Sequence, residues 1–224
     1  NYQDMIGFAL VLSVGLIHGA NDLLIIKNNS KFTSNYSQFR PFFIYIGVVF
    51  LGFTFFYLFP SFSLVAFIVV SIYHFGEQHL EAMPLTRSLK NNYRLISIVS
   101  HGIILFTIIF MNNINTVNNV FLSFKINFLN SSTLNIILIT ASIIYISTLV
   151  INKYLTSFIF SEILFFILFY FLSLSSTLIL CFSVYFIFFH SILSIKDQVK
   201  YIYGSNESNS LKRYLLNSMP YFIL

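Results

Sequence analysis

The chain alternates long apolar runs with short polar connections. Most runs have about 20 residues, the length that an α-helix needs to cross the hydrocarbon core of a bilayer. Strands of a membrane barrel would instead alternate polar and apolar residues at short period. The pattern therefore predicts an all-α protein, a polytopic membrane helix bundle that forms one integral membrane domain over residues 1–224. The seven or eight predicted spans are 5–26, 41–59, 62–80, 93–111, 133–151, 157–173, 175–195 and a last one starting near 214.

Composition agrees with this pattern. The chain is 57% hydrophobic and only 8% charged, whereas a soluble domain is about one quarter charged. The net charge of +5 does not predict a nucleic-acid partner, because the basic residues are scattered through short connections. A single cysteine, Cys181, excludes an internal disulfide. Because the chain begins without Met and stops within an apolar run, we expect truncation at both ends.

The basic residues also predict an orientation. If the first span exits into the cytoplasm, every Lys and Arg except Lys125 falls in a cytoplasmic connection. Such asymmetry is typical of multi-pass membrane proteins. It predicts which end of each span faces the cytoplasm.

Four of the five histidines lie inside apolar runs: His18, His74, His101 and His190. At 1.5 Å of rise per residue, each lies roughly 9–14 Å inside the cytoplasmic boundary. One membrane histidine most often makes an interhelical hydrogen bond, but four at a shared depth indicate a metal site, since imidazole suits iron, zinc and copper. His79 is nearer the end of its run, and we expect it at the level of the headgroups.

Two carboxylates follow these histidines at helical spacing. Asp22 is four residues after His18, and Glu77 is three after His74. Each is a candidate to accept a ring N–H or to act as an additional ligand.

Glycines and tyrosines occur beside the same histidines. Gly76 and Gly102 either let a helix or a substrate approach a ligand or simply allow tight helix packing. Tyr73 and Tyr185 are candidates to line a substrate pocket. Because no phosphate loop, dinucleotide fingerprint or nucleophile–base pattern appears, a metal is the expected source of any chemistry.

Three segments carry a resemblance to a known family, the Brp/Blh membrane β-carotene 15,15′-dioxygenases. The segments are His18-Gly-Ala-Asn-Asp22-Leu-Leu, Tyr73-His74-Phe-Gly-Glu77 and Phe189-His190-Ser191. The resemblance implies central cleavage of β-carotene by O₂ to two all-trans-retinal at non-haem Fe(II). It places His18, His74 and His190 on iron-ligand positions.

The resemblance also implies a setting. It predicts a multi-pass protein of the bacterial inner (cell) membrane, with the metal site in the cytoplasmic half. The substrate would be a carotenoid dissolved in lipid, and the product would pass to a retinal-binding rhodopsin.

One position departs from the family pattern. The family has a second histidine four residues after His190, where this chain has Ser194. Serine is a poor iron ligand, so the fourth ligand is open. His101 is the first candidate by depth, with His79, Glu77 or water as alternatives.

Three other functions stay open at this point. The chain could be a carotenoid- or retinal-binding relative without catalysis, a haem protein with histidine axial ligands, or a metal-binding transporter. Paired helices broken by Gly or Pro would favour a transporter, and the sequence has none. A Soret band would identify haem, and carotenoid bands without product would identify a binding protein.

Overall fold

The computed structural model describes residues 1–15, 40–83, 91–151, 156–204 and 208–218. Within these ranges every element is a helix and none is a strand, which confirms the all-α class. The α-helices are α1 Tyr2–Leu10, α2 Arg40–Leu58, α3 Pro60–Ala82, α4 Asn91–Asn112, α5 Ile114–Ser123, α6 Ser131–Ile151, α7 Ile159–Ser175, α8 Leu178–Tyr185, α9 Ile192–Tyr203 and α10 Ser208–Ser218.

Short helical segments of other kinds adjoin these helices. The π-helical segment Val11–Gly15 prolongs α1, and a second one, Phe186–Ser191, joins α8 to α9. A 3₁₀ turn, Thr156–Phe158, precedes α7.

Five segments of the described chain are long and apolar enough to cross a membrane. They are Pro60–Ala82, Asn92–Asn112, Ser131–Ile151, Thr156–Ser175 and Leu178–Tyr203. They correspond to the five predicted spans between residues 62 and 195. The expected total of seven or eight is not confirmed, since the described parts of the first two spans are shorter apolar helices and α10 has 11 residues.

The outer surface of α6 shows the membrane character directly. Ile136, Ile139 and Ile143 are all exposed at helical spacing. Soluble monomers rarely expose extended apolar patches. This stripe is consistent with a helix that faces lipid.

The chain divides into two compact units. The first unit comprises Asn1–Met5 and Pro60–Phe182, and the second comprises Ile6–Phe59 and Ser183–Leu224. The single-domain organisation expected from sequence stays a prediction.

Helix α4 is the centre of the first unit, where it contacts α3, α6 and α7. Its buried side chains include Ile98 and Leu105, which are almost fully excluded from solvent. The hydroxyl of Ser97 donates to Thr148 Oγ1 on α6 at 2.7 Å. Such hydroxyl pairs hold membrane helices together where hydrophobic burial gives little driving force.

Helices α3 and α4 cross at two glycines. A Cβ built on Gly76 would lie 2.0 Å from the carbonyl oxygen of Ile98, and one built on Gly102 would lie 2.0 Å from that of Ile72. No side chain fits at either position, so the two backbones touch. Of the roles considered for these glycines, the structure supports tight packing.

The second unit brings the two π-helical segments into contact with each other. Beside them, the Ser183 hydroxyl donates to the carbonyl oxygen of Gly7 at 3.0 Å. Residues 6–15 therefore pack against the segment that carries His190.

Candidate functional site

Three helices of the first unit bring a polar cluster together. It consists of His79 on α3, His101 on α4 and Glu162 on α7. His79 Nε2 lies 3.0 Å from Glu162 Oε2 and 3.1 Å from Oε1. His101 Nδ1 lies 3.7 Å from the same Oε2. Because His79 lies three residues after Gly76 and His101 directly precedes Gly102, the glycine crossing sets these two rings side by side.

Aromatic rings surround the cluster. The two imidazoles stack with their centroids 3.9 Å apart. Phe165 lies 5.1 Å from the ring of His79, and Phe166 lies 5.0 Å from that of His101. Tyr145 on α6 donates its hydroxyl proton to Glu162 Oε2 at 2.8 Å. These rings shield the carboxylate, which is only 6% exposed.

His101 has an unusual environment within the cluster. It is 0% exposed, and within the described part of the chain neither Nδ1 nor Nε2 has a hydrogen-bond partner. A buried polar atom without a partner costs about 1–3 kcal/mol. A partner bound to a ring nitrogen of His101 would remove this free-energy cost at that nitrogen.

The donor atoms of the cluster suit a metal ion. Each of the three residues offers one ligand atom, and these atoms all lie within 4.8 Å of one another. Two imidazoles and a carboxylate form the donor set of many non-haem iron sites, and imidazole also suits zinc, copper and nickel. The cluster can therefore hold a divalent transition metal.

An apolar cavity adjoins the cluster in the first unit. Its volume is about 450 Å³, and it lies between α4, α6 and α7. Isoleucine, leucine and aromatic side chains form most of its wall, while Tyr145 and Glu162 contribute polar groups. The carboxylate thus faces a space able to accept a water molecule or a small apolar group.

The other face of α3 has a different set of contacts. His74 is exposed there. The Tyr73 hydroxyl donates to Glu77 Oε1 at 2.9 Å, while Arg94 lies 3.7 Å from Glu77 and 2.7 Å from Glu81. The predicted support of His74 by Glu77, and the substrate role of Tyr73, stay predictions.

The second unit holds the remaining described candidates. His190 is 3% exposed and lies in the π-helical segment, stacked on Phe186 at 5.1 Å. Single π-helical turns occur frequently at functional sites. Tyr185 is buried and stacks on Phe189 at 5.6 Å. Ser194, one turn after His190, accepts a long hydrogen bond of 3.5 Å from Gln198.

His18 and Asp22 lie outside the described residues. Of the predicted ligands, the structure brings His101 together with His79, while His74 lies on another face of α3 and His190 in the second unit. The ligand set His18, His74 and His190 stays a prediction. His79 contacts two buried side chains, His101 and Glu162, and its expected depth at the headgroups stays a prediction.

Glu162 is not among the site residues predicted from the sequence. The available signal is a lone carboxylate within the predicted span 157–173, between Ser161 and Ile163 in an otherwise apolar run. An ionisable residue within a membrane span marks a functional hypothesis on its own.

Comparison with known proteins gives one match. A family model described as beta-carotene 15,15′-dioxygenase matches residues 9–224. No curated protein and no solved structure matches the chain.

Proposed function

The chain belongs to the beta-carotene 15,15′-dioxygenase family, and we propose on this premise that it cleaves the central double bond of β-carotene with O₂. Each carbon of that bond receives one oxygen atom, so one β-carotene and one O₂ give two all-trans-retinal. The observation that carries the proposal is the family match over residues 9–224. The five apolar helices support a location in the membrane, where a carotenoid dissolves.

The proposed metal is Fe(II), held by His18, His74 and His190, and it supplies the activation of dioxygen. Imidazole is a suitable ligand for iron. One contact supports a shared site for two of these residues. The segment Val11–Gly15 ends three residues before His18 and packs against Phe186–Ser191, which carries His190.

We propose that water completes the coordination of this iron. Ser194 replaces the expected fourth histidine, and His101 is already in contact with His79 and Glu162. Glu77 accepts a hydrogen bond from Tyr73 and lies near Arg94. Three protein ligands with open positions are sufficient for an iron oxygenase.

The proposed setting follows from the same premise. The substrate enters from the lipid, the iron lies in the cytoplasmic half of a bacterial inner membrane, and the retinal passes to a rhodopsin. The apolar outer surface of α6 is compatible with a substrate that arrives through lipid.

Expression in a bacterial host that accumulates β-carotene tests the activity. We expect the cells to lose colour, and chromatography to recover two molecules of all-trans-retinal for each β-carotene consumed. Unchanged β-carotene beside folded, iron-loaded protein would contradict the proposal. It would favour a carotenoid-binding protein without catalysis, the function that Ser194 raises as the second candidate.

Ser194→His tests the ligand assignment. This substitution restores the histidine of the family pattern one turn after His190. We expect iron retention during dialysis against a chelator to improve roughly tenfold. Ser123→His, at an exposed position on α5, is the matched control and should leave retention unchanged. Equal retention in both variants would argue against an iron ligand at His190.

A further inference from the structure

We propose that His79, His101 and Glu162 bind a divalent transition-metal ion, at a site separate from the iron site of His18, His74 and His190. The ligands would be His79 Nε2, His101 Nδ1 and a carboxylate oxygen of Glu162. They come from α3, α4 and α7, so the ion joins three helices of the first unit.

The unpartnered imidazole of His101 is the first observation that points to a ligand. It is completely buried, and neither ring nitrogen has a hydrogen-bond partner among the residues that the structure describes. The 3.7 Å between Nδ1 and Glu162 Oε2 is too long for a hydrogen bond but spans the width of a metal ion. An ion between these two atoms would give Nδ1 a partner, which no other group in the described residues does.

The two distances from the imidazole nitrogens to Glu162 are close to those expected around an ion. Zinc lies about 2.0–2.2 Å from nitrogen and carboxylate oxygen, so two ligands at tetrahedral or octahedral angles are roughly 3.0–3.5 Å apart. The observed 3.0 Å between His79 Nε2 and Glu162 Oε2 falls at one end of this interval. The 3.7 Å from His101 needs an adjustment of only a few tenths of an ångström.

The surroundings of the cluster resemble those of a prepared metal site. Tyr145 donates to Glu162 Oε2 at 2.8 Å and thereby orients the carboxylate. Groups of this kind typically change metal affinity by about 10–100-fold. Phe165 and Phe166 keep bulk water away from the imidazoles. The adjoining cavity leaves room for a water molecule to complete the coordination.

The geometry of α3 separates this site from the proposed iron site. His74 and His79 are five residues apart, which corresponds to roughly 140° around a helix with 3.6 residues per turn. His79 is part-buried against Glu162, whereas His74 is exposed. His74 and His79 of α3 therefore belong to two different sites.

Metal counting on the purified full chain tests the proposal. The protein is stripped with a chelator, reloaded with Co(II), and analysed for cobalt per chain by mass spectrometry. We expect two equivalents in the wild type and one in each of His101→Ala, Glu162→Gln and His74→Ala. Ser97→Ala, a buried change one turn before His101 that removes no metal donor, should keep two.

The outcomes distinguish the two sites. If His101→Ala and Glu162→Gln both retain the wild-type cobalt content, the cluster is only a hydrogen-bonded network and the proposal is overturned. If the wild type binds one cobalt that is lost in His101→Ala but not in His74→Ala, this site stands and the proposed iron site fails.

A milder variant covers the case in which His101→Ala and Glu162→Gln do not fold. Tyr145→Phe keeps the ring but removes the hydrogen bond to Glu162. In a His74→Ala background, where only this site remains, we expect the Kd for cobalt to rise at least about tenfold. An unchanged Kd would overturn the proposal.

Discussion

The two faces of helix α3 differ in nearly every respect. One face carries Gly76 and His79, touches the backbone of α4 and leads to a buried carboxylate. The other carries Tyr73 and His74, which are exposed, and its carboxylate Glu77 lies near Arg94. His74 and His79 lie five residues apart on one helix but have different surroundings.

This difference shows that one polar segment of a membrane helix can present side chains to two distinct environments. Because successive side chains rotate by about 100°, residues five apart point in different directions. The glycine face gives close packing and burial, which pre-position His79 against its neighbours. The exposed face leaves His74 accessible for ligands or substrate. Variants on the exposed face of α3, and at its contact with Gly102 of α4, test the two faces separately.

His74→Ala should have the largest effect, because it removes a proposed iron ligand from the exposed face. We expect the rate of retinal formation in vesicles containing β-carotene to fall at least about 100-fold, or about 2.7 kcal/mol in activation free energy. Val69→Ala removes an exposed apolar side chain of the same helix and should keep nearly full activity. Retained activity in His74→Ala would remove His74 from the site.

Gly102→Ala should damage the glycine face. The new methyl group would lie 2.0 Å from the Ile72 carbonyl oxygen, so α3 and α4 must separate. Overpacking of this kind costs about 1–3 kcal/mol in the free energy of unfolding. Thermal unfolding in detergent, followed by circular dichroism, measures the loss.

Gly52→Ala is the matched control for this change. Gly52 lies on α2, and a Cβ built there meets nothing within 4 Å. Alanine also favours helix more than glycine, so this variant should be as stable as the wild type or slightly more stable. If both variants unfolded alike, the glycine crossing would not be a specific contact.

Tyr73→Phe should have the smallest effect on stability. It removes the hydrogen bond to Glu77 from an exposed position, where such contacts contribute little. We expect the midpoint of unfolding to stay within about 1 °C of the wild type. A KM for β-carotene that rises without a change in kcat would assign Tyr73 to substrate binding, as the sequence suggested.

Much of the helical layout could be predicted from the sequence. The spans 62–80, 93–111, 133–151, 157–173 and 175–195 all coincide with apolar helices. Their prediction is secure because each depends on local hydrophobicity alone, and the bilayer sets the required length. The histidines within those spans were visible for the same reason.

The polar cluster could not be predicted in this way. Glu162 is separated from His101 by 61 positions and from His79 by 83. A depth estimate based on rise along each helix gives no information about which faces meet. For that reason the contact of His79 with His101 and Glu162 could not be read from the sequence.

The sequence alone determined that this is an α-helical membrane protein with histidines in its apolar runs, because composition and period are properties of the chain itself. Only the tertiary structure decided which of those histidines are neighbours. That choice depends on the rotation and crossing of helices, and here on two glycines that let α3 and α4 touch. Close contact at Gly76 and Gly102 is what puts His79 and His101 beside Glu162.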